Sequence, residues 1–143
     1  FTSKEALYRA VLQGAFDRLA AQLRGDPEAG GYGVGARALL AVAREDEAGF
    51  RLLWRHACRE PRFARYADEL RRRAVAVVRA ALVDGVPRQH LVWAAHAVVG
   101  YLVEAVLNWL EFGDPARDEQ FVTATNQALR AGVRAWARPA GGP

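Results

Sequence analysis

The stretch Leu91–Leu110 constrains the fold of this chain more than any other. Its sequence, LVWAAHAVVGYLVEAVLNWL, places apolar side chains around about two-thirds of a helix at roughly 100° per residue, and His96, Glu104 and Asn108 fall in the remaining sector. A helix with this pattern either spans a membrane or is covered by other helices on most sides. Because one Glu near the middle of a span costs about 2.5–3.5 kcal/mol, we expect a core helix and no membrane partner.

The rest of the chain also has helical periodicity. Apolar residues recur at intervals of three and four, and no stretch alternates in the manner of a strand. Breaks rich in Gly and Pro separate the helical stretches. The pattern predicts an all-α fold of about six helices in one domain over residues 1–143. The predicted helices lie near residues 4–25, 36–44, 49–59, 62–84, 88–112 and 116–136.

Composition and charge narrow the class of protein. Hydrophobic residues make up 52% and charged residues 25% of the chain, which are the proportions of a folded globular domain. The formal net charge is +4, but Lys4 is the only lysine, and many Arg with many Ala is typical of GC-rich coding. The charge therefore does not by itself indicate nucleic-acid binding. The single cysteine, Cys58, leaves no internal disulfide and fits a reducing, cytoplasmic location.

The last two predicted helices carry more apolar surface than one neighbouring layer can cover. Small residues at the middle turns of the final helix would let another helix approach closely. One interpretation is a homodimer, in which a second copy meets these helices around a two-fold axis. The other is that both helices complete the core of a monomer. The residues predicted for the dimer interface are Val103, Leu110, Phe121, Thr125, Ala128, Leu129, Gly132 and Trp136.

Metal-binding and nucleophilic chemistry have little support in the sequence. His56 and Cys58 are two residues apart on a helix, so their side chains diverge by about 200° and cannot share one ion. His90 and His96 diverge as well. No base is identifiable beside Cys58, and we interpret it as a small core residue. We therefore expect no metal, no cofactor and no enzymatic activity.

Two further patterns are weak signals. The loop Gly31-x-Gly33-x-Gly35 follows a predicted helix rather than a strand, so we interpret it as a connector and not as a phosphate cradle. The run Arg71–Arg73 fans over about 200° of a helix and cannot clamp a single group.

Large rings lie on the apolar faces of several helices, where they could either fill a core or wall a cavity. His96 and Glu104 lie on one side of their helix and could line that cavity, or belong to a solvated stripe or an interface.

The opening residues resemble a known family. FTSKEAL, Phe1 through Leu7, is similar to the start of the fourth helix in tetracycline-repressor (TetR) type transcriptional regulators, where a segment of the form F-x-(S/N)-K-E-x-L follows a helix-turn-helix. The physical basis is capping: Thr2 or Ser3 can accept from free backbone N–H groups, and Glu5 suits a capping box. WLEFGDP, at 109–115, resembles the end of the family's eighth helix, and the rest of the chain agrees in pattern.

This resemblance implies the effector-sensing and dimerising domain of a regulator. Family members read operator DNA through an N-terminal helix-turn-helix, and we expect that domain to precede Phe1. The last two helices would dimerise, and a small apolar or amphipathic effector would bind among the others and shift the first helix. His96 or Glu104 would supply a hydrogen bond to that effector. The residues predicted for the pocket are Phe50, Trp54, Tyr66, Leu70, Trp93, His96, Tyr101 and Glu104.

Two other functions are compatible with the sequence. The first is a helical enzyme or small-molecule carrier that uses His96 and Glu104 as its working groups. The second is an interaction bundle without a cavity. A cavity larger than about 300 Å³ between the helices would remove the second alternative.

Overall fold

A computed structural model describes residues 3–25 and 35–137, without the side chains at positions 19 and 22–25. Within these ranges every regular element is helical, which confirms the all-α fold of about six helices. The six α-helices are α1 Lys4–Gly25, α2 Ala36–Glu45, α3 Glu47–Arg51, α4 Ala64–Leu82, α5 Leu91–Phe112 and α6 Asp118–Ala137. Short 3₁₀ turns at Arg88–His90 and Pro115–Arg117 lead into α5 and α6.

Several sequence predictions lie outside the described residues. They include the capping role of Thr2 and the connector at residues 31 and 33. The capping prediction is confirmed for Ser3, whose Oγ accepts a hydrogen bond from the backbone N–H of Ala6 at 3.0 Å. Glu5 pairs instead with Arg9, one turn along the helix, at 2.9 Å.

The third predicted helix is wound in three different ways. Residues 49–59 were expected to form one α-helix, but α3 is followed by a π turn, Leu52–His56, and a 3₁₀ turn, Ala57–Arg59. The side chain of Asp46 caps the start of α3 by accepting from the N–H of Gly49 at 2.9 Å. A π turn changes which side chains face the core over a short distance. Leu53 and Trp54 lie inside the protein, at the spacing from Phe50 that an α-helix would also bury, while His56 is exposed.

Helix α5 forms the centre of the core, as its apolar pattern indicates. It packs against α4, α2 and α6. The segment Arg88–Phe112 is long and apolar enough to cross a membrane by length and composition, with a mean hydropathy of 1.5, but half of its most apolar window is buried inside the protein. Packing among neighbouring helices therefore accounts for about half of this apolar window. Its buried residues are Leu91, Ala94, Ala95, Val98, Val99, Leu102, Val103, Val106 and Leu107.

A polar cluster joins α2, α5 and α6, and we call it the Asp118 clasp: Arg44, Trp109 and Asp118. The Nε and Nη2 atoms of Arg44 donate to the two carboxylate oxygens of Asp118 at 3.0 and 2.8 Å. The Trp109 Nε1–H donates to Asp118 at 2.7 Å. The hydrogen bond from Arg44, with that of Trp109, holds the pKa of Asp118 below its ordinary value despite partial burial. Every one of these groups thus has a partner, which fixes α6 against the core.

Candidate functional site

A narrow crevice separates α1 from the α2–α3 corner, and we call it the Asp46 crevice. About 220 Å³ of its space is not filled by atoms, but this figure includes open solvent at the mouth. The crevice has no room for a water molecule. Two of the predicted pocket residues, Phe50 and Trp54, line it, and they lie one turn apart. The full lining is Ala15, Arg18, Val42, Asp46, Phe50, Leu53 and Trp54.

The polar groups of this crevice come from three places in the sequence. Asp46 stands at the cap of α3, so its carboxylate points back along the helix start. Its Oδ2 accepts from Nη2 of Arg18, on α1, at 2.9 Å. Trp54 lies in the π turn and is only 7% exposed. The crevice therefore combines one ion pair with an apolar wall.

Two buried donors at this site have no hydrogen-bond partner. They are the Nε–H of Arg18 and the Nε1–H of Trp54, and no acceptor is found for either within the described part of the chain. A buried donor without an acceptor is rare in folded proteins because it keeps the cost of losing its water. Both donors belong to residues that line the same crevice. Two donors of the residues that line this crevice are thus left without an acceptor in the described structure.

A second arginine lies against the Trp54 ring. The guanidinium carbon of Arg71, on α4, lies 5.4 Å from the centroid of the Trp54 ring. Asp46 is already engaged, since one of its oxygens accepts from Arg18 and the other from the N–H of Gly49. Arg71 does not line the crevice, whose two charged lining residues, Arg18 and Asp46, form an ion pair with each other.

The structure does not gather the eight predicted pocket residues around one cavity. Leu70 is fully buried in the core, and Tyr66 lines a separate open groove of about 380 Å³ beside Phe16. The other four residues are exposed side chains of α5: Trp93, His96, Tyr101 and Glu104. The physical reason is that α4 and α2 cover one sector of α5, so the opposite sector, which carries these four side chains, turns outward. Roles in ligand binding for these residues remain predictions.

Glu104 and His96 do not form a working pair in the structure. Glu104 lies 3.4 Å from Arg55, in an exposed ion pair, and accepts from Asn108 at 3.5 Å. His96 is exposed, and no hydrogen bond to it is found among the described residues. The same region holds no group of three metal-ligating side chains in the described ranges. Cys58 is exposed, so its interpretation as a core residue is wrong; it lies in the 3₁₀ turn that follows the π turn.

A second surface lies on the last two helices, and we call it the α5–α6 face. Three of its rings are unusually exposed for their size: Trp93 46%, Tyr101 41% and Phe112 78%. At roughly 100° per residue these rings and Gly100 fall within about 120° on α5, and four exposed alanines fall within about 60° on α6. The members are Trp93, Gly100, Tyr101 and Phe112 of α5, with Ala124, Ala128, Ala131 and Ala135 of α6.

The two halves of this face adjoin each other. The alanine stripe runs beside Phe121 of α6, and the Phe121 ring stacks on Trp109 of α5 with centroids 5.0 Å apart. At the other end Trp136 of α6 meets Trp93 of α5 edge to face, at 5.2 Å. Aromatic residues are enriched at protein interfaces relative to the rest of the surface.

The predicted interface residues divide between this face and the core. Val103, Thr125 and Leu129 are covered by helices of their own protomer, with exposures of 5, 6 and 5%. Leu110, Phe121, Gly132 and Trp136 are half-buried, and Ala128 is exposed. The periodicity of α6 placed its own six predicted residues on one apolar stripe, but one edge of that stripe packs inward. A partner could touch only the other edge.

Two larger grooves lie elsewhere and open widely to solvent. One, of about 580 Å³, runs between the start of α1 and the turn before α4, beside Tyr8, His56 and Phe63. Burial, with Glu60 nearby, raises the pKa of Tyr8 there. The other, of about 840 Å³, lies between α4 and the start of α5. Neither groove contains a residue predicted for the pocket, and neither is enclosed between helices.

Sequence reasoning missed Arg18 and Asp46. Asp46 had a usable signal, because an Asp three residues before Gly49 and next to an apolar run is typical of a helix cap. Arg18 had none, since it stands on the polar side of α1 and meets Asp46 only through the packing of α1 against α3. No family model, no curated protein and no solved structure matches the chain.

Proposed function

We propose that this chain is the effector-sensing, dimerising domain of a TetR-like transcriptional regulator. The observation that carries the proposal is the α5–α6 face, because an apolar surface on the last two of six helices is what dimerisation through those helices requires. The resemblance of FTSKEAL to the family's fourth helix supports it independently. Under this proposal the domain acts in the cytoplasm without catalysing a reaction.

The sensing mechanism would work through α1. This helix packs against α2, α4 and the α3 segment, and the Asp46 crevice lies at one of those contacts. An effector that enters there would separate α1 from α3 or draw them together. Because α1 would lead back to a helix-turn-helix, its displacement would change the spacing of two DNA-reading heads in a dimer. Operator binding would thus depend on the effector.

The dimer can be tested with a pair of neighbouring variants. Ala128→Glu places a charge on the α5–α6 face, whereas Gln127→Glu places the same charge one residue away, on the outer side of α6. Both positions are exposed, so neither change should unfold the protomer. In sedimentation equilibrium we expect wild type and Gln127→Glu to be dimers and Ala128→Glu to be a monomer. A monomeric wild type at high micromolar concentration would contradict the proposal.

The regulatory role is tested on the full-length protein. We expect the residues that precede Phe1 to form a basic helix-turn-helix, and the full-length dimer to bind a palindromic DNA site whose half-sites are about one helical turn apart. Ala128→Glu should then weaken DNA binding far more than Gln127→Glu does. Equal DNA binding by the two variants would show that this surface does not contribute to DNA recognition.

A further inference from the structure

We propose that the groove between α4 and the start of α5 is a docking surface for an acidic amphipathic helix of a partner protein. We call it the arginine groove, after the three arginines in its lining, Arg72, Arg79 and Arg88. None of its lining residues belongs to the predicted pocket, the predicted dimer interface or the α5–α6 face. The proposal therefore goes beyond the proposed function and does not depend on it.

The arginine groove has the length of a short helix. Six of its lining residues, from Arg72 to Val83, follow one another at steps of one and three residues, so they form a stripe along one side of α4 and its C-cap. At 1.5 Å per residue the stripe is about 16 Å long, which equals about three turns of a helix. Leu91, at the start of α5, lines the groove from the other helix, and the groove has a volume of about 840 Å³.

The walls of the groove restrict the kind of partner. Both walls are helical, so an extended peptide would find no strand edge to pair with. None of the described residues that line the groove is aromatic, whereas grooves that bind proline-rich segments are lined by aromatic side chains. Sites for small molecules bury most of the ligand, but this groove opens widely to solvent. A helix, which contacts a surface through its side chains, fits such a groove best.

The apolar part of the lining is accessible to a partner. Val83 is 56% exposed, and Ala76 and Ala80 are exposed as well. Val75 and Leu91 are almost fully covered by their own protomer. The small side chains of Ala76 and Ala80 let the axis of a docked helix come close to α4, and covering Val83 removes apolar surface from water. The partner helix therefore needs an apolar stripe of its own.

The charge of the lining is entirely positive. Its three arginines are exposed, and no Asp or Glu lines the groove in the described part of the chain. Arg72 pairs with Glu69 at 2.7 Å, whereas no ion pair is found for Arg79 or Arg88 among the described residues. Asp84 follows α4 in the sequence but does not line the groove. Because a guanidinium forms strong, charge-assisted hydrogen bonds with a carboxylate, acidic side chains beside the apolar stripe complement this surface.

Two synthetic peptides of the same composition test the chemistry. The first is a helix of about 18 residues with leucines at spacings of three and four and glutamates beside them, and the second has the same residues in an order that spreads the leucines around the helix. By fluorescence anisotropy on the 143-residue chain we expect the first peptide to bind with a dissociation constant of about 100 μM and the second about ten-fold more weakly. Equal binding of the two peptides, or no binding of the first at about 1 mM, would overturn the proposal.

Two matched charge reversals locate the site. Arg79→Glu places an acid in the groove, whereas Arg130→Glu makes the same change on α6, outside the groove lining. Both arginines are exposed, so neither change should unfold the protein. We expect Arg79→Glu to weaken binding of the first peptide about ten-fold and Arg130→Glu to leave it within about two-fold of wild type. The same loss in both variants, or in neither, would refute the assignment.

A charge-swapped peptide gives a readout that misfolding would not produce. In this peptide every glutamate of the first peptide is replaced by lysine. It should bind wild type weakly and Arg79→Glu more tightly, because the new carboxylate in the groove attracts it. No gain in its affinity for Arg79→Glu would contradict the proposal. A change in the oligomeric state of the free chain on this substitution would do so as well, because a second copy would then occupy the groove.

Discussion

Two Arg–Asp pairs in this protein have opposite surroundings. In the Asp118 clasp, Arg44 binds both oxygens of the carboxylate and Trp109 adds a third hydrogen bond. In the Asp46 crevice, Arg18 binds one oxygen of the carboxylate, while its own Nε–H and the indole N–H of Trp54 have no acceptor in the described structure. Arg, Asp and Trp therefore all have hydrogen-bond partners in the Asp118 clasp. In the Asp46 crevice the same three residue types leave two donors without an acceptor in the described structure.

The comparison separates a structural cluster from a site. Satisfied polar groups hold elements together, because separating them exposes every partner at once. Buried polar groups without a hydrogen-bond partner add little stability. Such exceptions occur more often at functional sites. The Asp118 clasp fixes α6 to the core, whereas the Asp46 crevice has two donors without acceptors in the described structure, at the contact between α1 and α3.

The largest expected effect is on the stability of the clasp. Asp118→Asn should lower the free energy of unfolding by about 2 kcal/mol at neutral pH, because the Arg44 guanidinium and the Trp109 N–H lose a charged acceptor. Asp46→Asn, the matched change at the other corner, should cost about 0.5 kcal/mol, since that pair is more exposed and Asn also caps a helix. Urea denaturation measures the free energy of unfolding of both variants. Equal losses would contradict the claim that the Asp118 clasp contributes more stability than the Asp46 pair.

The pH dependence of that difference follows from Asp118. Its pKa in the fold lies below the ordinary value of 3.8, chiefly because of the hydrogen bond from Arg44. The stabilisation is therefore complete above that ordinary value and is lost as the pH falls through the lowered pKa. We expect the gap between wild type and Asp118→Asn to be constant above about pH 5 and to shrink below pH 4. A gap that widens in acid would contradict this assignment.

A smaller effect is expected at the cap that positions Asp46. A methyl group on Gly49 would overlap the Asp46 carboxylate, so Gly49→Ala should displace it from both the cap and Arg18. The expected cost is about 1 kcal/mol, the usual value of a lost helix cap. Gly14→Ala, in α1, meets only the end of Arg18 at 3.7 Å and should be neutral or stabilising by about 0.5 kcal/mol. Thermal unfolding of the pair checks the sign of each.

The smallest effects compare the two indole donors directly. Trp109→Phe should lower stability by about 1 kcal/mol, because it removes a hydrogen bond that is made. Trp54→Phe should change stability by less than about 0.5 kcal/mol, because the donor it removes has no acceptor in the described residues. A loss at Trp54 as large as that at Trp109 would mean that the Trp54 indole is satisfied.

The sequence by itself determined the secondary structure and the class of fold. Periodicity placed α1, α2, α4, α5 and α6 close to their observed bounds, because each has an apolar stripe and ends at Gly, Pro or a polar break. The partial burial of α5 was equally accessible, since a helix that is apolar over most of its circumference and carries Glu104 favours a core helix over a membrane span. These properties depend on residues close together in the chain.

Only the tertiary structure decided which faces meet. His96, Tyr101 and Glu104 turned outward because α4 and α2 cover the opposite side of α5, and nothing within α5 specifies which neighbours arrive. Thr125 and Leu129 went into the core for the same reason, leaving the alanine stripe exposed. Arg18 and Asp46, 28 residues apart, meet only where α1 packs against α3. Local pattern sets the elements, whereas contacts between distant residues depend on how all the helices pack at once.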